Sequence, residues 1–220
     1  MVLQQSIKIK SIITIGLLSM AFYFIGVYTD SFIVRMITKP LPVIAMLVLL
    51  KPINHYSKFI FTGLLFSVVG DLLLEYSASL FIYGLIAFLL AHITYIVAFF
   101  KRSKRIALIP LILLMAFGIV IYWLLYPELG NMAHPVLIYI IVILIMSWRA
   151  AAQGNYDKNA IYAVGGSVLF VLSDSIIAFN KFYVEIQHAG YLIMLTYWAA
   201  QSLLFYSVYS HQIAEEQSGT

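Results

Sequence analysis

Leu80–Phe100 reads LFIYGLIAFLLAHITYIVAFF, and Phe59–Leu74 reads FIFTGLLFSVVGDLLL. The first stretch contains no Asp, Glu, Lys or Arg, and the second contains only Asp71. A helix needs about 20 predominantly apolar residues to cross a hydrocarbon core of about 30 Å. The strands of an outer-membrane barrel would instead alternate apolar and polar residues over about 10 positions. These unbroken runs therefore predict membrane-spanning helices.

The composition of the whole chain agrees with these two runs. Of its 220 residues, 63% are hydrophobic and 10% are charged, whereas a soluble domain carries about 25% charged residues. The chain has no cysteine, which excludes structural disulfides, thiolate metal sites and cysteine nucleophiles. The formal charge of +4 indicates cationic loops beside anionic headgroups rather than nucleic-acid binding. We therefore expect an all-α membrane protein, with no nucleic acid among its partners.

Apolar runs between charged or turn-rich breaks predict a bundle of eight transmembrane helices in a single transmembrane domain, residues 1–220. The predicted helices span about residues 11–28, 32–50, 57–74, 79–100, 106–126, 135–151, 160–179 and 186–209. No Ala-x-Ala-like cleavage site follows the first run, so we interpret it as a retained helix and not as a signal peptide. Residues 210–220 form a short polar tail that we expect to fray.

The charges of the loops predict the orientation of the bundle. Ten of the thirteen Lys and Arg residues fall on one side of the predicted helices. These ten are Lys8, Lys10, Lys51, Lys58, Lys101, Arg102, Lys104, Arg105, Arg149 and Lys158. Because positive loops remain in the cytoplasm, both the N- and C-termini are predicted to be cytoplasmic. We expect an integral, multi-pass protein of a bacterial inner membrane, with an animal endoplasmic-reticulum membrane as the alternative.

A weak internal repeat is visible in the third and seventh predicted helices. The sequence VVGD at residues 68–71 aligns with VLSD at residues 171–174. These two helices run in the same direction, so a repeat would consist of two parallel four-helix halves related by an axis along the membrane normal. The low identity leaves a chance similarity as an equal alternative.

Three charged residues lie deep within the predicted spans, away from the cationic boundary: Lys39, Asp71 and Asp174. Such a group costs about 2.5–3.5 kcal/mol at the centre of a membrane helix, and it commonly lines a cavity or pathway. With a rise of about 1.5 Å per residue, the three lie about 18–24 Å above the cytoplasmic boundary. Their common height on different helices predicts one polar site in the outer half of the bilayer.

Small and aromatic residues recur at helical spacing on several faces of the predicted bundle. The five sets are Gly63, Ser67, Gly70 and Asp71; Gly84, Phe88, His92 and Tyr95; Pro135, Tyr139, Met146 and Ala150; Gly166, Phe170, Ser173 and Asp174; and Gly190, Met194, Tyr197 and Gln201. Small residues allow helices to approach closely in lipid. Both aspartates are therefore predicted to point into the bundle and towards a shared polar cavity.

Structural roles are the alternatives for each of these residues. Asp71 and Lys39 could form one ion pair that fixes the register of their helices. Asp174 could cap a broken helix end together with Ser173, and His92 could be a hydrogen-bonded interior residue. Zinc bound by His92, Asp71 and Asp174 is a further alternative, although only one buried histidine is predicted to be available.

A series of short motifs extends from Lys39 to Gln201. In order they are Lys39-Pro40-Leu41; Gly70-Asp71-x-x-Leu74; Gly84-x-x-x-Phe88-x-x-x-His92-x-x-Tyr95; Pro135-x-x-x-Tyr139 with Met146 and Ala150; Gly166-x-x-x-Phe170-x-x-Ser173-Asp174; Phe182; and Tyr197-x-x-x-Gln201. In this order and spacing the chain resembles the YhhN-type membrane proteins, whose characterised members are lysoplasmalogenases. One departure is Ile177 in Ser175-Ile176-Ile177-Ala178, where the family pattern has leucine.

The resemblance implies an eight-helix membrane enzyme. A lysoplasmalogenase hydrolyses the vinyl ether bond of lysoplasmalogens to a fatty aldehyde and a glycerophospho-base. Its partners would be the lysoplasmalogen substrate, water and the surrounding membrane lipids. No cofactor and no metal is expected.

Acid–base chemistry suits such a substrate, because a vinyl ether opens when its β-carbon is protonated. The resulting oxocarbenium ion takes up water, in analogy to the inverting glycosidases with their two carboxyl groups. We hypothesise that either Asp71 or Asp174 donates the proton while the other activates water, and that Lys39 and Tyr139 tune this pair. The residues expected to bind the substrate are Ser67, His92, Tyr95, Ser173, Tyr197 and Gln201.

Two other functions remain open from the sequence. A small-solute or proton-coupled transporter fits the parallel half-repeat and the charges within the membrane. A lipid-binding or scaffold protein would use the aspartates only to hold its helices together.

Overall fold

The computed structural model of the chain describes residues 2–154 and 159–218; Lys158, one of the predicted cytoplasmic cations, lies outside these ranges. Every regular element of this described part is helical, which confirms the all-α class. The described α-helices are α1 (Val2–Tyr28), α2 (Phe32–Thr38), α3 (Leu41–Leu49), α4 (His55–Tyr76), α5 (Phe81–Arg102), α6 (Leu108–Leu129), α7 (Ala133–Ala151), α8 (Ala160–Phe182) and α9 (Ala189–Ser218). Short 3₁₀ turns, Ala78–Leu80 and Gly130–Met132, precede α5 and α7.

The helix predicted over residues 32–50 is interrupted at Lys39 and Pro40, which separate α2 from α3. Proline has no amide hydrogen and its ring collides with the preceding turn, so a helix cannot continue through it undisturbed. The Lys39 amide still donates to the Arg35 carbonyl at 3.0 Å. The indole nitrogen of the buried Trp198 donates to the Lys39 carbonyl at 3.3 Å. The hydrogen bond from Trp198 to the Lys39 carbonyl therefore links the α2–α3 junction to α9.

Helix α9 extends to Ser218, beyond the predicted bound at Tyr209. Gln212, which is buried, explains much of this extension. Its side-chain oxygen accepts from the Lys51 amide at 3.1 Å, and its side-chain nitrogen donates to the Lys51 carbonyl. The turn after α3 is thereby pinned to α9.

Seven segments of the described chain are long and apolar enough to cross a membrane. Large apolar side chains also cover the outside of the bundle, where Ile109 and Trp123 are 73% and 72% exposed. Such a surface is unfavourable in water but is solvated by lipid. The chain is therefore a multi-pass membrane protein.

Two helical hairpins form the centre of the bundle, and close glycine contacts hold each of them together. Helix α4 packs on α5, where a Cβ at Gly70 would lie 2.6 Å from the Phe88 ring. Helix α8 packs on α9, where a Cβ at Gly166 would lie 2.8 Å from the Ala200 carbonyl oxygen. Close approach of this kind is how helices gain packing energy in lipid, where the hydrophobic effect contributes little.

The Gly166→Ala substitution is expected to destabilise the protein by about 1–3 kcal/mol, because its new methyl group meets backbone that cannot rotate away. Gly190→Ala is the matched control, since a Cβ at Gly190 has nothing within 4 Å. Thermal unfolding in detergent micelles should show a lower Tm for Gly166→Ala and an unchanged or higher Tm for Gly190→Ala. Equal Tm values for the two variants would contradict the close packing of α8 on α9.

Candidate active site

Asp174, in α8, lies at the centre of the first of two polar clusters in the bundle. The Tyr139 hydroxyl from α7 donates to Asp174 Oδ2 at 2.5 Å. His92 from α5 places its Nε2 4.0 Å from the same oxygen. Three helices therefore converge on one carboxylate, and the side chain of Asp174 is only 13% exposed.

Asp71, in α4, belongs to the second polar cluster. The Tyr197 hydroxyl from α9 donates to Asp71 Oδ2 at 2.8 Å. One turn further along α9, Gln201 accepts from the Tyr95 hydroxyl at 3.0 Å. All four side chains are buried, so this cluster joins α4, α5 and α9 without contact with lipid.

Aromatic rings connect the two clusters. Phe170 lies with its ring centroid 4.7 Å from that of His92 and 5.5 Å from that of Tyr197. Phe88 lies 5.7 Å from Tyr197 and 6.0 Å from Phe170. Each aspartate thus accepts a hydrogen bond from a different tyrosine, and the rings of Phe88 and Phe170 lie between the two clusters.

Lys39 has a different carboxylate partner from the one expected. Its Nζ lies 3.2 Å from Glu75 Oε2, and the guanidinium Nε of Arg35 lies 2.7 Å from Glu75 Oε1. Arg35 also reaches Asp30 at 2.8 Å. The Lys39–Asp71 ion pair considered from the sequence is therefore replaced by a Lys39–Glu75 pair, one helical turn away along α4.

Glu75 and Arg35 are the site residues that the sequence reasoning missed. A signal for them existed, because Asp71 and Glu75 are four residues apart on one helix, as are Arg35 and Lys39. Residues at this spacing share a helix face. An acidic pair and a basic pair on neighbouring helices predict a network rather than a single bridge.

The remaining predicted residues have mainly structural contacts. The Ser67 hydroxyl donates to the Gly63 carbonyl at 3.0 Å within α4. The Ser173 hydroxyl donates to the Ile193 carbonyl at 3.1 Å, which joins α8 to α9. Asp174 does not cap a broken helix end, because α8 continues without interruption to Phe182.

His92 differs from a hydrogen-bonded interior residue. It is fully buried, yet neither ring nitrogen has a hydrogen-bond partner among the described residues. Gln201 Nε2 is likewise buried without a partner in the described chain. Since unsatisfied buried polar groups are uncommon and unfavourable, these two residues are candidates for contact with a bound molecule.

A narrow apolar cavity, with about 60 Å³ of room for the centre of a water-sized sphere, reaches the first cluster and not the second. Tyr139, Asp174 and Ser175 are its polar lining residues, and helices α4 to α8 supply the rest. The other lining residues are Leu74, Phe81, Leu85, Phe88, Phe117, Gly118, Ile121, Val136, Ile140, Ile143, Leu144, Val171, Ile177, Ala178 and Phe182. Its walls are apolar apart from these three side chains, so they suit a hydrocarbon chain.

The fold and this site together define a multi-pass membrane protein with a hydrogen-bonded tyrosine and aspartate at the wall of an apolar cavity. The chain belongs to the YhhN family, whose profile matches residues 34–208. This match confirms the resemblance found in the sequence. No solved structure matches the chain significantly.

Several curated relatives carry the name lysoplasmalogenase. Human lysoplasmalogenase TMEM86B is 34% identical over 171 residues, which cover 76% of this chain and 72% of the relative. Human lysoplasmalogenase TMEM86A is 36% identical over 152 residues, which cover 66% of this chain and 62% of the relative. The lysoplasmalogenase of Mycobacterium tuberculosis is 29% identical over 164 residues, which cover 70% of this chain and 61% of that protein.

The Glu75→Gln substitution is expected to lower the free energy of unfolding by about 3 kcal/mol, because it leaves Lys39 and Arg35 without their shared carboxylate. Adding Lys39→Met to this variant should recover part of the loss, since one uncompensated charge is then removed. The exposed Glu128 provides the control substitution Glu128→Gln. Unfolding in mixed micelles measures all three variants. A Glu75→Gln variant as stable as Glu128→Gln would contradict the network.

Proposed function

We propose that this protein is a lysoplasmalogenase, which hydrolyses the vinyl ether bond of lysoplasmalogens to a fatty aldehyde and a glycerophospho-base. The observation that carries the proposal is the hydrogen bond of 2.5 Å from the Tyr139 hydroxyl to Asp174 Oδ2. Both residues line an apolar cavity. The names of the relatives supply the substrate class. The carboxylate and the cavity supply the two elements that such a substrate needs, a proton donor and a place for its hydrocarbon chain.

The first chemical step is the transfer of a proton from a carboxylic acid to the β-carbon of the vinyl ether. Asp174 is the better candidate for this donor, because Asp174 and not Asp71 lines the cavity. The electrons of the double bond form the new C–H bond, and the adjacent carbon becomes an oxocarbenium ion. The Asp174 carboxylate that remains beside this cation stabilises it electrostatically in a site of low polarity.

Water then adds to the oxocarbenium carbon and loses a proton, which gives a hemiacetal. In this scheme the Asp174 carboxylate accepts that proton, and the His92 imidazole, 4.0 Å away, orients the water through its otherwise unsatisfied nitrogens. Collapse of the hemiacetal breaks the bond to the glycerol oxygen, which takes up a proton as the aldehyde forms. The net reaction consumes one water molecule and regenerates the acid.

Asp71 has a supporting role in this proposal. It is held by Tyr197 at 2.8 Å, and Phe88 and Phe170 contact Tyr197 on the side of the first cluster. The ammonium group of Lys39 is bound to Glu75, one helical turn from Asp71 along α4. A negative charge at this position would favour the developing cation and would fix Tyr197 against the rings beside the cavity.

The bundle is proposed to cross the bilayer eight times. One of the seven apolar segments, Leu108–Ala151, is 44 residues long, which as a straight helix would measure about 66 Å, twice the hydrocarbon thickness. The 3₁₀ turn Gly130–Met132 divides this segment into α6 and α7, which pack on each other. With eight crossings both termini lie on the cationic side, which is the cytoplasm by the positive-inside rule. A bacterial inner membrane is the proposed location.

A small-solute transporter is the second candidate, and the interruption between α2 and α3 favours it. Transporters of several folds bind their substrate at such discontinuous helices, which occur in corresponding positions of both halves. Here the helix in the corresponding position of a second half would be α7, which is continuous from Ala133 to Ala151. Uptake into proteoliposomes would support transport, whereas aldehyde release in detergent without a gradient supports the enzyme.

Asp174→Asn is expected to reduce aldehyde release by at least about 1,000-fold, because the variant has no acidic proton to transfer. Asp71→Asn should reduce it less, by about 10- to 100-fold, since Asp71 acts through Tyr197 and through its charge. The assay compares a lysoplasmalogen with its saturated alkyl ether, which cannot be protonated at carbon. Aldehyde from both lipids, or a fully active Asp174→Asn variant that folds normally, would refute the mechanism.

A bulkier residue in the cavity should shorten the alkenyl chain that the enzyme accepts. Ile143 is buried in the wall of the cavity, so Ile143→Trp should lower kcat/KM for long alkenyl chains by about tenfold and leave short chains nearly unaffected. Ile138, which is 53% exposed on the same helix and outside the cavity, provides the control Ile138→Trp. Equal losses for long and short chains would contradict binding of the alkenyl chain in this cavity.

A further inference from the structure

The cavity has one end near the helix termini, where α5 begins at Phe81 and α8 ends at Phe182. Both of these rings line the cavity and meet edge to face, with their centroids 6.1 Å apart. Asp174, Ala178 and Phe182 line the cavity from α8 at successive turns. This end is therefore the one through which a headgroup can reach the water beside the loops.

A cation lies beside this end of the cavity. The Nζ of Lys181 is 4.3 Å from the centre of the Phe81 ring. Lys181 follows Asp174 by seven residues, two helical turns, so it lies on the same face of α8 and about 10 Å nearer the loops. Contact with an aromatic ring at an exposed position is weak, and it leaves the hydrogen-bond donors of the ammonium group available.

Arg35, Lys39 and Lys181 are the three cations that the sequence places away from the cytoplasmic side, and Lys181 differs from the other two in its ion-pair partners. Lys39 and Arg35 are bound by Glu75 and Asp30. Lys181 has no carboxylate within 4 Å in the described part of the chain. Of these three residues, Lys181 alone has a positive charge that is available to an anion from outside the chain.

We infer that Lys181 binds the phosphodiester of the substrate at the loop end of the cavity and so positions the vinyl ether beside Asp174. The inference rests on the proposed function, because the lysoplasmalogen supplies both the vinyl ether and the phosphate.

The dimensions of the substrate agree with this assignment. In a lysoplasmalogen five bonds separate the ether oxygen from phosphorus, about 6 Å when extended, given C–C bonds of about 1.5 Å. Two further bonds lead from the ether oxygen to the β-carbon that Asp174 protonates, and a hydrogen bond of about 3 Å joins the phosphate to Lys181. The reach therefore covers the rise of about 10 Å between Asp174 and Lys181. With the phosphate on Lys181, the alkenyl chain continues inward along Ile143 and Leu144, which line the deeper part of the cavity.

The test uses Lys181→Gln and Lys181→Arg, purified in a non-ionic detergent without added phospholipid. Lys181→Gln is expected to raise the KM for lysoplasmalogen about tenfold and to leave kcat within about twofold. The reason is that the ammonium group of Lys181 binds the phosphate equally strongly in the bound substrate and in the transition state. Lys181→Arg should retain a KM near that of the wild type. Lys101→Gln is the matched control: Lys101 also lies over a ring, that of Phe59 at 5.3 Å, but at the other end of α5 and away from the cavity.

A binding measurement identifies the group that Lys181 recognises and does not depend on turnover. The probes are the saturated 1-alkyl-glycerophosphoethanolamine and the phosphate-free 1-alkylglycerol. The Kd of the first should rise about tenfold in Lys181→Gln, and the affinity for the second should stay as in the wild type. An equal rise for both probes would indicate a structural role, and no rise for the first would refute phosphate binding; either result overturns the inference.

The two proposals fail in different ways. A wild-type protein that binds the phosphate-containing probe through Lys181 but releases no aldehyde would refute the proposed function alone. A wild-type protein that hydrolyses lysoplasmalogen and is unaffected by Lys181→Gln would refute the inference alone. The assay without phospholipid distinguishes binding of the substrate's phosphate from binding of other lipid headgroups. If Lys181 contacted only other headgroups, its substitution would not change the KM under these conditions.

Discussion

A polar group inside a bilayer has no water to bind, so its partners must come from the protein itself. This constraint explains the arrangement of the central helices. Glu75 holds both Lys39 and Arg35, and the carbonyl exposed at the interruption before Pro40 is bound by Trp198. Asp71 and Asp174 each accept a hydrogen bond from a tyrosine on another helix. Since each partner lies on a different helix, satisfying these groups also fixes the rotation of the helices, which apolar packing alone specifies weakly.

The same constraint distinguishes the two aspartates by their surroundings. The second cluster lies away from the cavity: Asp71 is enclosed with Tyr197, and the neighbouring Tyr95 hydroxyl donates to Gln201, whose Nε2 has no partner in the described chain. The first cluster is incomplete, because neither ring nitrogen of His92, 4.0 Å from Asp174, has a hydrogen-bond partner among the described residues, and Asp174 itself lines the cavity. A protein that needed its carboxylates only to hold helices together would benefit from completing both clusters. An incomplete cluster at a cavity is the arrangement expected where a substrate and water supply the missing contacts.

The sequence predicted those features that follow from the cost of placing a single residue in lipid. It was less informative about side-chain pairing, which depends on how the helices are rotated relative to one another. Apolar runs longer than about 17 residues have few interpretations, so the helical class and most helix positions were predictable. Asp71 and Asp174 stood out because a charge within such a run is costly. Glu75 and Arg35 lie nearer to helix ends, where charges are ordinary, and only the fold shows that Glu75 is 10% exposed. The pairing of Tyr139 with Asp174 and of Tyr197 with Asp71 needs the relative rotation of four helices, which residue spacing alone does not give.

The position of the cavity suits products of opposite polarity. Phe117 of α6 lines the cavity and is 41% exposed on the surface that lipid covers, so the cavity lies close to the hydrocarbon from which an alkenyl chain enters and to which an aldehyde returns. The other end lies at the termini of α5 and α8, next to Lys181 and the loops. A glycerophospho-base, which is insoluble in hydrocarbon, has its exit there. In the proposed mechanism the bond between the two parts is hydrolysed at Asp174, which lines the cavity two helical turns from Lys181.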